Sequence, residues 1–146
     1  MPLDVQITVE ETRLLLEAGY LATERKEYVK AKEIFEGVQA LGRGADVAEV
    51  GLANLHLMQQ QSKEAEKLLR QAIKTNPQNA YAHALLGELL HTLGKKEEAL
   101  ESLGKAKALD QGATAGMAAA VEEAVKTDVA YKYKAAGGEK GKGKKK

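Results

Sequence analysis

Residues 80–109 read AYAHALLGELLHTLGKKEEALESLGKAKAL, and this stretch decides the fold. Apolar residues recur every three or four positions on both sides of Gly94, the spacing that lines one face of a helix. It predicts two helices, Ala80–Leu93 and Lys95–Leu109, with Gly94 as the turn between them. Stepping back 34 residues lays Leu52-Ala53 on Leu86-Gly87, and a second step of 34 lays Ala18-Gly19 there. The same offset relates Ala31, Ala65 and Ala99, then Phe35, Leu69 and Leu103, then Val38, Ala72 and Ala106. Four columns sharing one period in three copies mark an internal repeat. The units are 12–45, 46–79 and 80–113, preceded by a lead-in, 1–11.

Each unit reads as a pair of helices. Thr8 with Glu11 has the T-x-x-E pattern of a capping box, in which side chain and backbone satisfy each other at a helix start. Asp46 with Glu49 predicts a second such box, and Ser62 a cap for the helix after the polar break Gln59-Gln60-Gln61. Asn76-Pro77 predicts a helix end, because a residue before proline avoids the α region. Gly19, Ala53 and Gly87 fall where the first helix of a pair crosses the second, facing Ala31, Ala65 and Ala99. Larger side chains there would force the helices apart, which close-packed interiors resist. The expected core is therefore Gly19, Ala31, Phe35, Leu52, Ala53, Ala65, Leu69, Ala72, Pro77, Leu86, Gly87, Ala99, Leu103 and Ala106.

This arrangement resembles the tetratricopeptide repeat (TPR) family from about Thr8 to Ala113. The residues that carry the resemblance are those small-residue columns, together with Leu86, Leu103, Leu69, Phe35 and the closing Pro77. The family aromatic near the start of the first helix is replaced by Leu15, Glu49 and His83, and its proline by Arg43 and Gln111 in two units. The resemblance implies an all-α fold, an α-solenoid of three helix-turn-helix repeats. Segment 114–133 begins where a fourth repeat would, and Met117, Val121, Ala124, Val125 and Val129 share a face, so it is read as a capping helix. The Lys/Gly-rich stretch 134–146 has nothing apolar to bury beyond two alanines and is expected to be disordered.

Composition removes whole classes of function. The chain has 22 basic and 21 acidic residues, but eight lysines and only two acids lie in 126–146, so an acidic body precedes a basic tail. Without cysteine there is no disulfide, thiolate metal site or cysteine nucleophile. No apolar run approaches the roughly 20 residues that span a bilayer, and the start of the chain lacks the pattern of a secretory signal. Of the three histidines, His83 and His91 point about 80° apart on one helix, and no carboxylate completes a metal set with them. The segment Gly137–Lys142 does not match a phosphate loop. No catalytic residues, metal or cofactor are expected, and the chain is read as a non-enzyme.

The family resemblance implies partner binding in a concave groove lined by the first helix of each repeat. The lining here is expected to be Leu16, Tyr20, Val50, Asn54, Leu57, Met58, Tyr81, Ala84, Glu88 and His91. One TPR subgroup holds acidic chaperone tails with a clamp of Lys, Asn and Arg. The equivalent places here are Leu16, Tyr20, Gly51, Tyr81 and Leu85, with no cation among them, so an extended or helical peptide with apolar anchors is the expected partner. In size and groove character the chain also resembles the class II chaperones of bacterial type III secretion, which implies a cytoplasmic protein and is compatible with a homodimer. A different reading stays open: a self-associating TPR scaffold whose lysine-rich tail meets an anionic surface, nucleic acid or membrane. Nucleic acid is the less expected partner, because the tail has no arginine to read bases.

Overall fold

A computed structural model describes residues 6–127. Among them are seven helices and no strand: α1 (Val9–Glu24), α2 (Tyr28–Leu41), α3 (Ala45–Met58), α4 (Ser62–Thr75), α5 (Ala80–Thr92), α6 (Lys96–Leu109) and α7 (Ala113–Lys126). The helices form two compact units that divide between Pro77 and Gln78, α1–α4 in the first and α5–α7 in the second. None of the described helices is long and apolar enough to cross a membrane.

The repeat is written into the backbone as well as the side chains. Three turns join first helix to second, and the residues at 26, 60 and 94 all lie in the left-handed region, with φ of 63° at Lys26, 60° at Gln60 and 79° at Gly94. The N–H of the following residue then reaches back to the first helix: Glu27 to the Ala22 carbonyl at 2.8 Å, Gln61 to His56 at 2.8 Å, Lys95 to Leu90 at 2.9 Å. Lys26, Gln60 and Gly94 themselves donate to Thr23, Leu57 and His91, each at 3.0 Å. This pair of bonds is the Schellman closure, which satisfies the last carbonyls of the helix.

In the first unit the core gathers on Phe35, which is fully buried with Ala22, Ala31, Val38, Ala48, Leu52 and Leu55. A Cβ at Gly19 of α1 would come within 2.6 Å of the ring, and one at Gly51 of α3 within 2.5 Å. The single phenylalanine thus fills the space that two glycines leave open. In the second unit Leu103 of α6 occupies the equivalent gap, where a Cβ at Gly87 would lie 2.6 Å from its Cγ. Helix α7 packs on both α5 and α6 and buries Ala118, Val121 and Val125. Every expected core residue is buried except Pro77, which is exposed and acts through the backbone: α4 stops at Thr75, and Asn76 is extended.

Local signals fared unevenly. The Thr8 capping box forms, the Glu11 N–H donating to Thr8 Oγ1 at 3.1 Å and the Thr8 N–H to Glu11 Oε2 at 2.9 Å. The Asp46–Glu49 box does not. Gly44, at φ 74°, is the N-cap of α3 and places Asp46 inside the first turn, where its carboxylate accepts from Asn76 Nδ2 at 3.0 Å. Glu49 is only 3% exposed and accepts from Thr75 Oγ1 at 2.9 Å and Gln39 Nε2 at 3.2 Å. A buried carboxylate needs such donors, and reaching them draws it away from the helix end. Ser62 is likewise the first helical residue rather than a cap. Gln61 precedes it as N-cap without a side-chain bond, since the Schellman turn already fixes the entry of α4. Helix α7 ends at Lys126, and Val129, the remainder of the expected capping helix and the tail 134–146 lie outside the described residues.

Candidate functional site

The repeat register sets which side chains the first helices α1, α3 and α5 present. In the first unit Leu16 and Tyr20 of α1 are half-buried against the Phe35 cluster. The Tyr20 ring meets Phe35 edge-on with centroids 5.1 Å apart, and its hydroxyl lies 3.5 Å from the Val47 carbonyl oxygen at the start of α3. One side chain therefore ties the two first helices of this unit together. On α3, Asn54 and Leu57 are half-buried, and Met58 is 51% exposed. Val50 is 1% exposed and belongs to the core instead, so it presents no surface to a ligand.

The second unit offers Tyr81, Glu88 and His91 of α5, all half-buried. Ala84 is fully buried, a second correction to the expected lining. The cause is the same in both cases: positions 50 and 84 lie one repeat apart on the side of the helix turned toward its packing neighbours. Gly51 and Leu85, two of the positions compared with the carboxylate clamp, are buried too. No cation stands at any of the five clamp positions.

Glu88 differs electrostatically from the other acids. Burial raises its carboxyl to about 6, because removing a carboxylate from water disfavours its charged form. Glu122 moves the other way, held below the ordinary carboxylate range by Lys107 at 2.9 Å and by Lys126. Among the described residues no group of three or more His, Asp or Glu side chains is arranged to hold a metal ion. His56 shares a 2.5 Å hydrogen bond with Gln61, His83 is buried, and His91 is half-buried.

Three features lay beyond the sequence reading. Gly51 has no small partner one repeat away (Glu17 and Leu85 stand there), so no column marks it. Leu14 and Leu21 of α1 are about half exposed, a pair of large apolar side chains seven residues apart. The isolation of Glu88 depends on what folds around it and has no sequence signal.

The first helices and Schellman turns, repeated every 34 residues, define a helical-repeat scaffold. The tetratricopeptide repeat profile matches residues 22–89 and, one register on, 56–123. The chain belongs to the tetratricopeptide repeat family. No curated protein matches it by sequence. Solved structures do match by fold. PcrH from Pseudomonas aeruginosa aligns with a TM-score of 0.71 at 18% identity, over 86% of this chain and 99% of that one. The type III secretion chaperone SycD of Yersinia enterocolitica, in complex with a peptide of the translocator YopD, aligns with a TM-score of 0.69 at 16% identity, covering 85% and 98%. The first TPR of Spaghetti (RPAP3), bound to the HSP90 peptide SRMEEVD, aligns with a TM-score of 0.70 at 16% identity, covering 85% and 97%. At these identities the likeness is one of fold.

Proposed function

We propose that this protein is a non-enzymatic TPR binding module that holds an apolar peptide segment of a partner protein on its first-helix surfaces, the α1/α3 face of the first unit and the α5 face of the second. The observation that carries this reading is the retention of Leu16, Leu57 and Met58 at or near the surface of a face with no cation at the clamp positions. Partly exposed aliphatic and aromatic side chains fit apolar anchors. They do not fit an acidic peptide such as SRMEEVD, the one bound to Spaghetti (RPAP3). The narrower reading is a chaperone of type III secretion acting in the cytoplasm, supported by the fold shared with PcrH and SycD and by the translocator peptide in the SycD complex.

The test starts with a pull-down from the source cell and identification of the captured protein. Binding of its apolar segment is then measured by calorimetry for wild type, Leu57→Asp, Tyr81→Asp and the milder surface change Met58→Glu. Weakened binding with unchanged helicity supports the assignment. Equal binding by all four proteins refutes it, and a captured partner with no role in secretion refutes the narrower reading alone.

A second reading rests on Leu14 and Leu21 of α1, whose exposure suits contact with another copy of the chain. Sedimentation of wild type and Leu21→Glu decides it. A monomer in both cases removes self-association.

A further inference from the structure

Seven carboxylates among the described residues are not fully exposed, and six have partners. Glu27 pairs with Lys30, Glu66 with Arg70, and Glu122 with Lys107 and Lys126. Asp46 accepts from Asn76, Glu49 from Gln39 and Thr75, and Asp110 from the N–H groups of Gly112 and Ala115. Glu88 is the seventh, and its side chain has neither a hydrogen bond nor an ion pair among the described residues. Burial alone shifts its titration, with no neighbouring charge or donor contributing.

Its position gives that isolation a direction. Glu88 follows Tyr81 by seven residues and precedes His91 by three, so the three lie on one stripe of α5. Withdrawing a carboxylate from water without a donor is unfavourable, and the cost is recovered when a charge-assisted hydrogen bond forms. Tyr20 and Asn54 stand at the same repeat position in the first two repeats, so neither supplies a carboxylate.

We infer that Glu88 sets specificity in the bound segment by receiving a cationic side chain, Lys or Arg, placed at a fixed spacing from the apolar side chain that Tyr81 meets on the same helix. This deepens the peptide-binding reading and rests on it. The occupant is a basic-apolar segment of a separate protein, chosen by charge complementarity: a carboxylate withdrawn from water accepts a cation and rejects an acidic side chain.

The experiment is a selection from a displayed library of random twelve-residue peptides against the full chain and against Glu88→Gln, a change of the same shape. Wild type is expected to enrich apolar anchors with Lys or Arg at one spacing, and Glu88→Gln to keep the anchors and lose the basic position. A selected peptide is then synthesised with its Lys kept or replaced by Met. The substitution Glu88→Gln should weaken the Lys peptide about tenfold and leave the Met peptide within about twofold. Glu88→Lys should turn the preference toward Asp or Glu. Apolar anchors without a fixed cation, or the same Lys/Met ratio in Glu88→Gln, overturn this inference and leave the groove reading standing. Enrichment of no apolar-anchored peptide overturns both. A synthetic peptide of residues 128–146, which combines Tyr131 and Tyr133 with Lys132 and Lys134, is measured beside them. Its binding more tightly than any selected peptide would make the occupant this chain itself and overturn the assignment to a separate partner.

Discussion

Replacing Gly51 by alanine sets two effects of opposite sign against each other inside one helix. Alanine in place of glycine in a helix interior is worth about 1 kcal/mol through backbone entropy. Against that gain stands the Phe35 ring, whose Cζ, Cε1 and Cδ1 would lie 2.5, 2.6 and 2.8 Å from the new Cβ. Carbon atoms in good contact sit at about 3.5–4.0 Å, so the overlap amounts to about 1 Å at the closest atom. The ring cannot simply withdraw. The same carbons approach Gly19 on α1, where a Cβ would be 2.6 Å away, and Tyr20 packs on it edge-on. Overpacking of this kind costs about 1–3 kcal/mol, and confinement on two sides places this case in the upper half. After the helix gain, Gly51→Ala should lose about 1–2 kcal/mol. Gly37→Ala in α2 is the control, because nothing lies within 4 Å of its added Cβ; it should gain about 0.5–1 kcal/mol. Urea unfolding followed by circular dichroism reads both. A cycle with Phe35→Leu isolates the clash, since the shorter side chain relieves it, and a coupling of about 1 kcal/mol is expected. Equal stability of the two alanine variants, or an additive cycle, would refute the idea that the glycine is present to admit the ring.

Three further outcomes follow from the same structure. Gln60→Gly should stabilise by about 0.5–1 kcal/mol in thermal or urea melts, because a non-glycine residue is held at φ 60°, whereas Gly94→Ala, at φ 79°, should destabilise by a similar amount. Thr8→Ala removes both side-chain bonds of the α1 cap and should cost about 1 kcal/mol, with faster amide exchange confined to the first turn of that helix. Glu88 should also bend the stability–pH curve. Its folded carboxyl is raised from 4.5 to about 6, so the folded chain holds the proton more tightly than the unfolded one. That stability is fully present below pH 4.5 and is lost as the pH rises through 6, a change of at most about 2 kcal/mol and less with solvent screening. Glu88→Gln should abolish this component; an unchanged difference curve between pH 4 and 7 would contradict it.

The fold was legible because it is written in side-chain volume. Gly19, Ala53 and Gly87 against Ala31, Ala65 and Ala99 recur on a period no other constraint would produce, and all six are buried. The turns were half legible. Gly94 announces its left-handed backbone, but Lys26 and Gln60 adopt the same conformation without a glycine to signal it, because the two Schellman bonds hold them there. Caps misled for a related reason. Asp46 and Glu49 have the spacing of a capping box, yet Glu49 is buried, and the side chains of Gln39 and Thr75 compete for its carboxylate and win. Short-range spacing cannot register a partner 26 residues away.

The candidate site divides along the same line. Register alone put Leu16, Val50 and Ala84 at one repeat position, and Tyr20, Asn54 and Glu88 at another. Which of them keeps contact with solvent depends on neighbouring helices, and so Leu16 stays half-buried where Val50 and Ala84 vanish into the core. At the second position, held by Tyr20, Asn54 and Glu88, the repeat fixes neither size nor chemistry. Tyr20 spends its ring on Phe35 and its hydroxyl near the Val47 carbonyl, inside its own unit. Glu88 has no such internal use. Positions that the period fixes serve packing, since every copy must solve the same steric problem. A position that varies while remaining half-buried, and whose polar group finds no partner among the described residues, is where a repeat protein can encode a partner without disturbing its stack.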